Sequence, residues 1–189
     1  MAILKKIGIA LAALIGLFMI IPLFISGDAS YEQSVLIDAP ADRVWNHVNT
    51  LEGMDSWSPW MAKDPNMKKE MQGQDGTVGA QYCWESENEE VGSGCQSIAH
   101  IEPGKSIATD LKFLEPYESE AKAYITLVSK GEQTEANWKF ASTMPYPFRI
   151  MKLFMSMEDM LKEDFTKGLN TLKAQAEKND SNPISSNDQ

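Results

Sequence analysis

The chain has 189 residues and a formal net charge of −10, from 17 basic and 27 acidic residues. This length predicts one domain plus an appendage, and 43% hydrophobic with 23% charged residues is ordinary for a folded protein. The acidic balance argues against a nucleic-acid partner, because phosphate binding needs a basic surface.

An uncharged apolar run near the N-terminus predicts a transmembrane anchor. Residues 7–25 carry no charge, and a helix of this length is about 28 Å long, close to the thickness of the hydrocarbon core. Because Lys5 and Lys6 precede the run, we expect residues 1–6 in the cytoplasm and the remainder outside. In a bacterium this places the C-terminal domain on the periplasmic face of the inner membrane. A cleaved signal peptide is the main alternative, since the two lysines resemble its charged start.

The region after the anchor predicts a strand followed by short helices. Residues 26–30 are expected to form a linker, and residues 31–37 a strand that Pro40 ends. A helical face then follows, with a further helical turn expected before Trp60. The residues on that face are Val44, Trp45, Val48 and Leu51.

Alternating apolar and polar residues predict an antiparallel meander of six more strands. Two of them flank a polar turn at Asn88-Glu89 and are expected to form a hairpin. The predicted strands are 66–71, 79–87, 90–100, 106–114, 120–129 and 134–141.

The apolar period becomes helical at residue 148, which predicts one helix over 148–177 with a single apolar stripe. Residues 179–189 are polar and are predicted to be disordered. A strongly curved sheet facing one long helix cannot fill all the space between them. We therefore expect an apolar cavity there.

Five short motifs occur in a characteristic order, at residues 37–45, 57–60, 79–84, 91–94 and 167–173. Their order and spacing resemble the SRPBCC (START/Bet v1-like) superfamily, in particular its polyketide cyclase/dehydrase-like branch. The resemblance covers residues 31–178 and implies an α+β helix-grip fold, a curved antiparallel sheet around a long C-terminal helix. It also implies a hydrophobic ligand, but it does not imply a reaction. The N-terminal anchor departs from the commoner soluble members.

Large apolar side chains on the predicted sheet and helices are candidates for contact with such a ligand. Trp57 and Trp60 would form a lip over the cavity mouth or pack the short helix onto the sheet. The others would line the cavity or belong to a solid core. The full candidate set is Trp57, Trp60, Tyr82, Trp84, Trp138, Phe140, Phe154, Met157 and Leu161.

Cys83 and Cys95 each lie six positions from Glu89, so a hairpin centred there would place them opposite each other. A disulfide between them is predicted to contribute about 3 kcal/mol to stability. Two separate thiols, or a slipped register, are the alternatives.

The sequence indicates no metal site and no cofactor. His47 and His100 belong to different elements, and no HxH, HxxxH or CxxC spacing occurs. The acid/base candidates are Tyr82, Tyr124 and His100, with nothing in the sequence to position them. The favoured function is a membrane-anchored, non-catalytic binding protein for a hydrophobic small molecule or lipid. The alternatives are a cyclase/dehydratase-like enzyme, or a protein-interaction or stress-response module with a vestigial cavity.

Overall fold

The computed structural model describes residues 2–178, so the predicted tail at 179–189 lies outside the described residues. The helices are α1 (Ala2–Ile20), α2 (Ala41–Trp45), α3 (Leu51–Asp55), α4 (Pro59–Lys63) and α5 (Met157–Glu177), with 3-10 helices at Ile21–Phe24 and Phe148–Leu153. The strands are β1 (Asp28–Ile37), β2 (Lys68–Gln72), β3 (Gln81–Glu85), β4 (Ser93–Glu102), β5 (Ser106–Glu115), β6 (Ser119–Lys130) and β7 (Gln133–Thr143).

The seven strands form one antiparallel sheet in the order β1-β7-β6-β5-β4-β3-β2. Strands β2 to β7 follow one another as a meander, and β1 pairs with β7 at the far side. The sheet curves around α5, which confirms the predicted α+β helix-grip fold. Strands β3 and β4 are shorter than predicted, because a seven-residue connection, 86–92, separates them.

One face of the sheet packs against α5, and the alternation along each strand decides which residues are buried. In β6, for example, Ile125 and Leu127 point inward and are buried, while Thr126 between them is exposed. Helix α5 contributes Phe165, Leu169 and Leu172, which are buried at helical spacing. Burying a large apolar side chain stabilises the fold by about 1.5–3 kcal/mol.

The predicted continuous helix over 148–177 is wrong in its first third. Residues Phe148–Leu153 form a 3-10 helix, and Ser156 then adopts an extended backbone before α5 begins. The Ser156 hydroxyl accepts a hydrogen bond from the backbone N–H of Asp159 at 3.0 Å, so Ser156 is the N-cap of α5. This N-cap overrides the apolar period, because the extended backbone at Ser156 interrupts the helix.

The N-terminal apolar helix projects from the domain. The run Ile3–Phe24 has 22 residues and is long and apolar enough to cross a membrane. Its side chains are almost all exposed, so it is not a buried core helix. Strand β1 already begins at Asp28, which leaves a connection shorter than the predicted linker at 26–30.

The two cysteines are directly opposed in the β3–β4 register and are joined by a disulfide. Both lie on the sheet face that points away from α5, since Tyr82 and Trp84 on either side of Cys83 point toward the interior. The disulfide therefore holds the hairpin together from outside the cavity.

Candidate functional site

A cavity of about 390 Å³ lies between the curved sheet and the helices α3, α4 and α5. Its walls are mostly apolar and come from the inner faces of strands β3 to β7. The apolar lining residues are Leu51, Met54, Trp57, Trp60, Met61, Met67, Tyr82, Trp84, Val91, Ile107, Leu111, Phe113, Pro116, Tyr117, Ala123, Ile125, Trp138, Phe140 and Leu161.

Trp138 on β7 is the centre of an aromatic cluster at one side of this cavity. Its ring stacks on Phe165 of α5 with 4.0 Å between the centroids, and Trp57 and Trp60 meet it edge-on at 5.0 and 5.9 Å. The indole N–H of Trp57 donates to the backbone carbonyl of His47 at 3.0 Å, which satisfies its only polar atom. The ring contacts and this hydrogen bond therefore tie the wall to α5 and to the segment after α2.

Gly168 allows α5 to approach this cluster closely. A Cβ atom at this position would lie 2.9 Å from the Trp138 ring and 3.2 Å from Pro59. Real Cβ atoms do not make contacts below 3.0 Å, so any side chain here would push α5 away from the sheet. The glycine thus helps to set the width of the cavity.

The exposed side chains of Glu89, Glu90 and Glu115 line part of the cavity, as do Ser58 and Ser119. Four other polar side chains of the lining form two pairs. The Tyr82 hydroxyl donates to Asp55 Oδ1 at 3.3 Å, and Lys69 forms an ion pair with Asp55 at 2.7 Å. On the neighbouring strands, the Gln96 amide donates to the Thr109 hydroxyl at 2.9 Å. Such sparse polar groups in an apolar cavity orient a ligand rather than bind it strongly.

The environment of Tyr82 raises the pKa of its hydroxyl well above the ordinary value. Burial is the largest cause, because it disfavours the phenolate, and the negative charge of Asp55 and the hydrogen bond to it act in the same direction. Tyr82 therefore stays protonated at physiological pH. It can donate a hydrogen bond, but it is not poised to act as a general base.

The cavity opens at the connections that join β3 to β4 and β5 to β6. Tyr117, in the second connection, lines the cavity and is 82% exposed, which places it on the rim. Gly92 in the first connection has a φ of +62°, and a Cβ there would lie 2.1 Å from the carbonyl oxygen of Glu115. The two connections are thus in direct contact, and only glycine fits between them.

Lys63 ties α4 to the neighbouring elements beside this opening. Its ammonium lies 3.0 Å from Asp164 of α5 and 3.6 Å from Glu90 in the β3–β4 connection. The Ser86 hydroxyl also donates to Asp64 at 2.5 Å. These contacts hold α4, and with it Trp60, at the edge of the cavity.

Seven of the nine predicted ligand-contact residues line the cavity, whereas Phe154 and Met157 do not. Phe154 is 82% exposed, because it precedes the N-cap of α5 and points away from the sheet. Met157 is the first residue of α5 and lies outside the lining. The seven that line it are Trp57, Trp60, Tyr82, Trp84, Trp138, Phe140 and Leu161.

Several lining residues were not among the predicted ones. Leu111 and Phe113 lie on the inner face of β5, and their alternation in the sequence already marked that face. Met61 and Met67 lie on α4 and in the loop after it, and no periodic pattern pointed to them. Only the tertiary fold brings these methionines to the cavity.

The other two acid/base candidates lie away from the cavity. Tyr124 is on the outer face of β6, between the inward-facing Ala123 and Ile125, and His100 is exposed on β4. Within residues 2–178, no group of three or more His, Cys, Asp or Glu side chains is placed to hold a metal ion.

A family model described as "Polyketide cyclase / dehydrase and lipid transport" matches residues 28–177. A search of curated proteins found no match. Solved structures with the same fold include Ara h 8.0201, at 9% identity and a TM-score of 0.55 over 79% of this chain and 98% of that one. A protein from Mesorhizobium loti has 12% identity and a TM-score of 0.55 over 77% and 95%. One from Thermobifida fusca has 18% identity and a TM-score of 0.57 over 78% and 92%. At these identities, the similarity shows the fold alone.

Proposed function

Because the chain belongs to the polyketide cyclase/dehydrase and lipid transport family, we propose that its domain binds a hydrophobic small molecule or lipid between the sheet and α5. The observation that carries this proposal is the cavity of about 390 Å³ with mostly apolar walls. Small-molecule sites have volumes of about 300–1,000 Å³ and similar linings with few polar groups. A tightly packed interior without a cavity would instead have favoured a protein-interaction or stress-response module that binds no small molecule.

The polar groups in the cavity favour a ligand with a neutral hydrogen-bond donor, such as a hydroxyl. The Tyr82 hydroxyl uses its proton on Asp55, so its oxygen is left as an acceptor. Asp55 also accepts hydrogen bonds, and its charge is partly balanced by Lys69. A carboxylate at this place would meet the negative charge of Asp55 and would be disfavoured.

We further propose that α1 anchors the domain in the bacterial inner membrane, with the N-terminus in the cytoplasm and the domain in the periplasm. The apolar helix Ile3–Phe24 and the two lysines near its start, Lys5 and Lys6, support this orientation. The disulfide between Cys83 and Cys95 is also in keeping with an oxidising compartment. The protein would then offer its cavity to molecules at the outer surface of that membrane.

Binding, rather than catalysis, is the role that the cavity supports best. Acid/base catalysis needs a group with a pKa near the working pH. Tyr82 is held in its protonated form, and Asp55 is already paired with both Tyr82 and Lys69. These groups are therefore suited to orienting a bound molecule.

The proposal can be tested by filling the cavity of the full chain. Ala123 lies on β6 between Thr109 and Phe140 and lines the cavity, so Ala123→Phe would place a ring in the space of the ligand. Ala141→Phe adds the same ring to the opposite face of the sheet and serves as the matched control.

Native mass spectrometry of the detergent-solubilised full chain should show a retained hydrophobic molecule in the wild type and in Ala141→Phe. Ala123→Phe should retain much less, while thermal unfolding confirms that both variants fold. Equal retention in the two variants, or no retained molecule in the wild type, would contradict binding in this cavity.

A further inference from the structure

We propose that residues 144–155, here called the interfacial patch, insert into the surface of the bilayer that α1 crosses, so that the open end of the cavity faces the lipid. The inference rests on the proposed anchoring by α1 and deepens it. It assigns a second membrane contact to a segment that lies about 120 residues after the anchor in sequence.

The interfacial patch exposes an unusual number of large apolar side chains. Phe148 is 58% exposed, Leu153 60% and Phe154 82%. Met151 and Met155 are also exposed, so five large apolar side chains face outward within eight residues. Single exposed apolar residues are common, but a contiguous cluster of this kind marks an interaction surface.

Hydrogen bonds fix the interfacial patch against the end of the anchor. The Tyr146 hydroxyl donates to the backbone carbonyl of Met19 at 2.8 Å. The Arg149 guanidinium donates to the carbonyl of Ile25 at 3.2 Å, and Lys152 donates to the carbonyl of Ser26 at 3.0 Å. A Cβ at Gly27 would lie 2.7 Å from the carbonyl oxygen of Met144, so the two segments are closely packed.

These contacts place the interfacial patch at the depth of the membrane surface. A hydrocarbon core of about 30 Å is crossed by about 20 helical residues, so the apolar run Ile3–Phe24 ends close to its border. Tyr146 touches Met19, which is inside this run, and tyrosine is enriched at the interface between lipid and water. The exposed Phe148 and Phe154 then lie where apolar side chains can enter the lipid.

The interfacial patch is basic, whereas the rest of the domain is acidic, and a basic segment suits the surface of an anionic membrane. The part of the chain after the anchor has a net charge of −12, since it contains 15 of the basic residues and all 27 acidic ones. Residues 144–155, in contrast, contain Arg149 and Lys152 and no acidic residue. Apolar side chains mixed with basic ones are typical of segments that lie in the headgroup region of anionic membranes.

The strand register shows that the cavity opens at the end of the sheet that lies next to the anchor and the interfacial patch. The chain enters the sheet at Asp28, which pairs with Thr143 at the end of β7. Across the sheet, the β5–β6 connection lies at this end too, because Ala121 pairs with Ser142 and Ser119 with Phe113. That connection carries the rim of the cavity. An inserted patch therefore turns the rim toward the membrane, and a lipid could enter the cavity from the bilayer.

Spin labels on the full chain can test this insertion. The sequence has two cysteines, and both are in the disulfide, so a single added cysteine can be labelled selectively. Leu153→Cys places a label in the interfacial patch. Val78→Cys places one in the loop before β3, at the opposite end of the sheet, where the native side chain is 63% exposed and thus matched to Leu153.

The labelled proteins would be reconstituted in vesicles of phosphatidylethanolamine and phosphatidylglycerol, and the accessibility of each label to oxygen and to a water-soluble nickel complex would be measured. We expect the label at 153 to be reached by oxygen and protected from nickel, and the label at 78 to show the reverse. Adding Phe154→Asp should increase nickel access at 153, because a charge so close would resist insertion. Equal nickel access at 153 and 78 would overturn the inference.

The outcome is separable from that of the proposed ligand binding. A label at 153 reports insertion whether or not the cavity is occupied. A water-exposed label at 153, in a protein that still retains a hydrophobic molecule, would overturn membrane docking and leave the binding function intact. A protected label with an empty cavity would support docking and contradict the binding function.

Discussion

Replacing Gly168 by alanine tests whether close packing of α5 on the aromatic cluster shapes the domain. Two opposing effects decide the result. In an unconstrained helix interior, alanine is favoured over glycine by about 0.8–1.0 kcal/mol. In this structure the new Cβ would lie 2.9 Å from the Trp138 ring and 3.2 Å from Pro59. Trp138 is buried and stacked on Phe165, so it cannot move aside cheaply.

Overpacking of this kind costs about 1–3 kcal/mol, which exceeds the gain in helix propensity. We expect Gly168→Ala to lower the free energy of unfolding by roughly 1 kcal/mol, and the melting temperature by about 2–4 °C. Asn170→Ala is the control, because Asn170 is exposed on the same helix. In Asn170→Ala only the higher helix propensity of alanine acts, so the free energy of unfolding should rise by up to about 0.7 kcal/mol.

Thermal and denaturant unfolding, followed by tryptophan fluorescence, would measure both changes, and the emission of Gly168→Ala should also shift as its indole rings move. A Gly168→Ala protein that is more stable than the wild type, by as much as propensity alone predicts, would refute the packing argument.

The remaining predictions concern the disulfide, Tyr82 and the start of α5. Replacing Cys83 and Cys95 by serine should cost about 3 kcal/mol, since the bridge closes a loop with a sequence separation of 12, and should lower the melting temperature by roughly 6–12 °C. The raised pKa of Tyr82 means that an absorbance titration should show this tyrosine ionising after the others. Because its pKa is higher in the folded state than in the unfolded state, its stabilising effect is complete below about pH 10 and is lost as the pH rises further. Ser156→Ala should destabilise the protein by about 1 kcal/mol, because it removes the N-cap of α5.

Each of these has a control. A reductant should destabilise the wild type but not the double serine variant. The late ionisation should vanish in Tyr82→Phe and persist in Tyr124→Phe, since Tyr124 is on the outer face of β6. Ser129→Ala changes the same residue type at an exposed position near the end of β6 and should change stability by less than about 0.5 kcal/mol. Loss of the late ionisation in the Tyr124 variant would show that the wrong tyrosine had been assigned.

The sheet could be predicted from the sequence because its strands alternate. Buried Ile125 and Leu127 flank the exposed Thr126, and the same period marks the inner face of β5. The register of Cys83 and Cys95 followed from their equal distance to Glu89, although the real connection is longer than the predicted turn. The error in the length of the connection does not affect the predicted faces of the strands, because the alternation of apolar and polar residues does not depend on where a strand ends.

The cavity was predicted less completely, because its lining depends on contacts between distant segments. Trp57 and Trp138 stand out by size and do line it. Met61 and Met67 belong to a region without periodicity and reach the cavity only through the path of the loop. Phe154 continues the apolar period of α5, and the period therefore placed it on the helix face toward the cavity. It lies before the N-cap of α5, however, and its side chain is exposed.

The sequence by itself determined the apolar N-terminal helix, the seven strands and the amphipathic C-terminal helix, because each depends on a local pattern of apolar and polar residues. Only the tertiary structure decided how much space the curved sheet leaves beside α5, and which residues line it. It also brought the segment after β7 against the end of the anchor, through contacts such as Tyr146 to Met19. Both results depend on how segments that are far apart in the chain pack against each other, and a local pattern of residues does not specify these contacts.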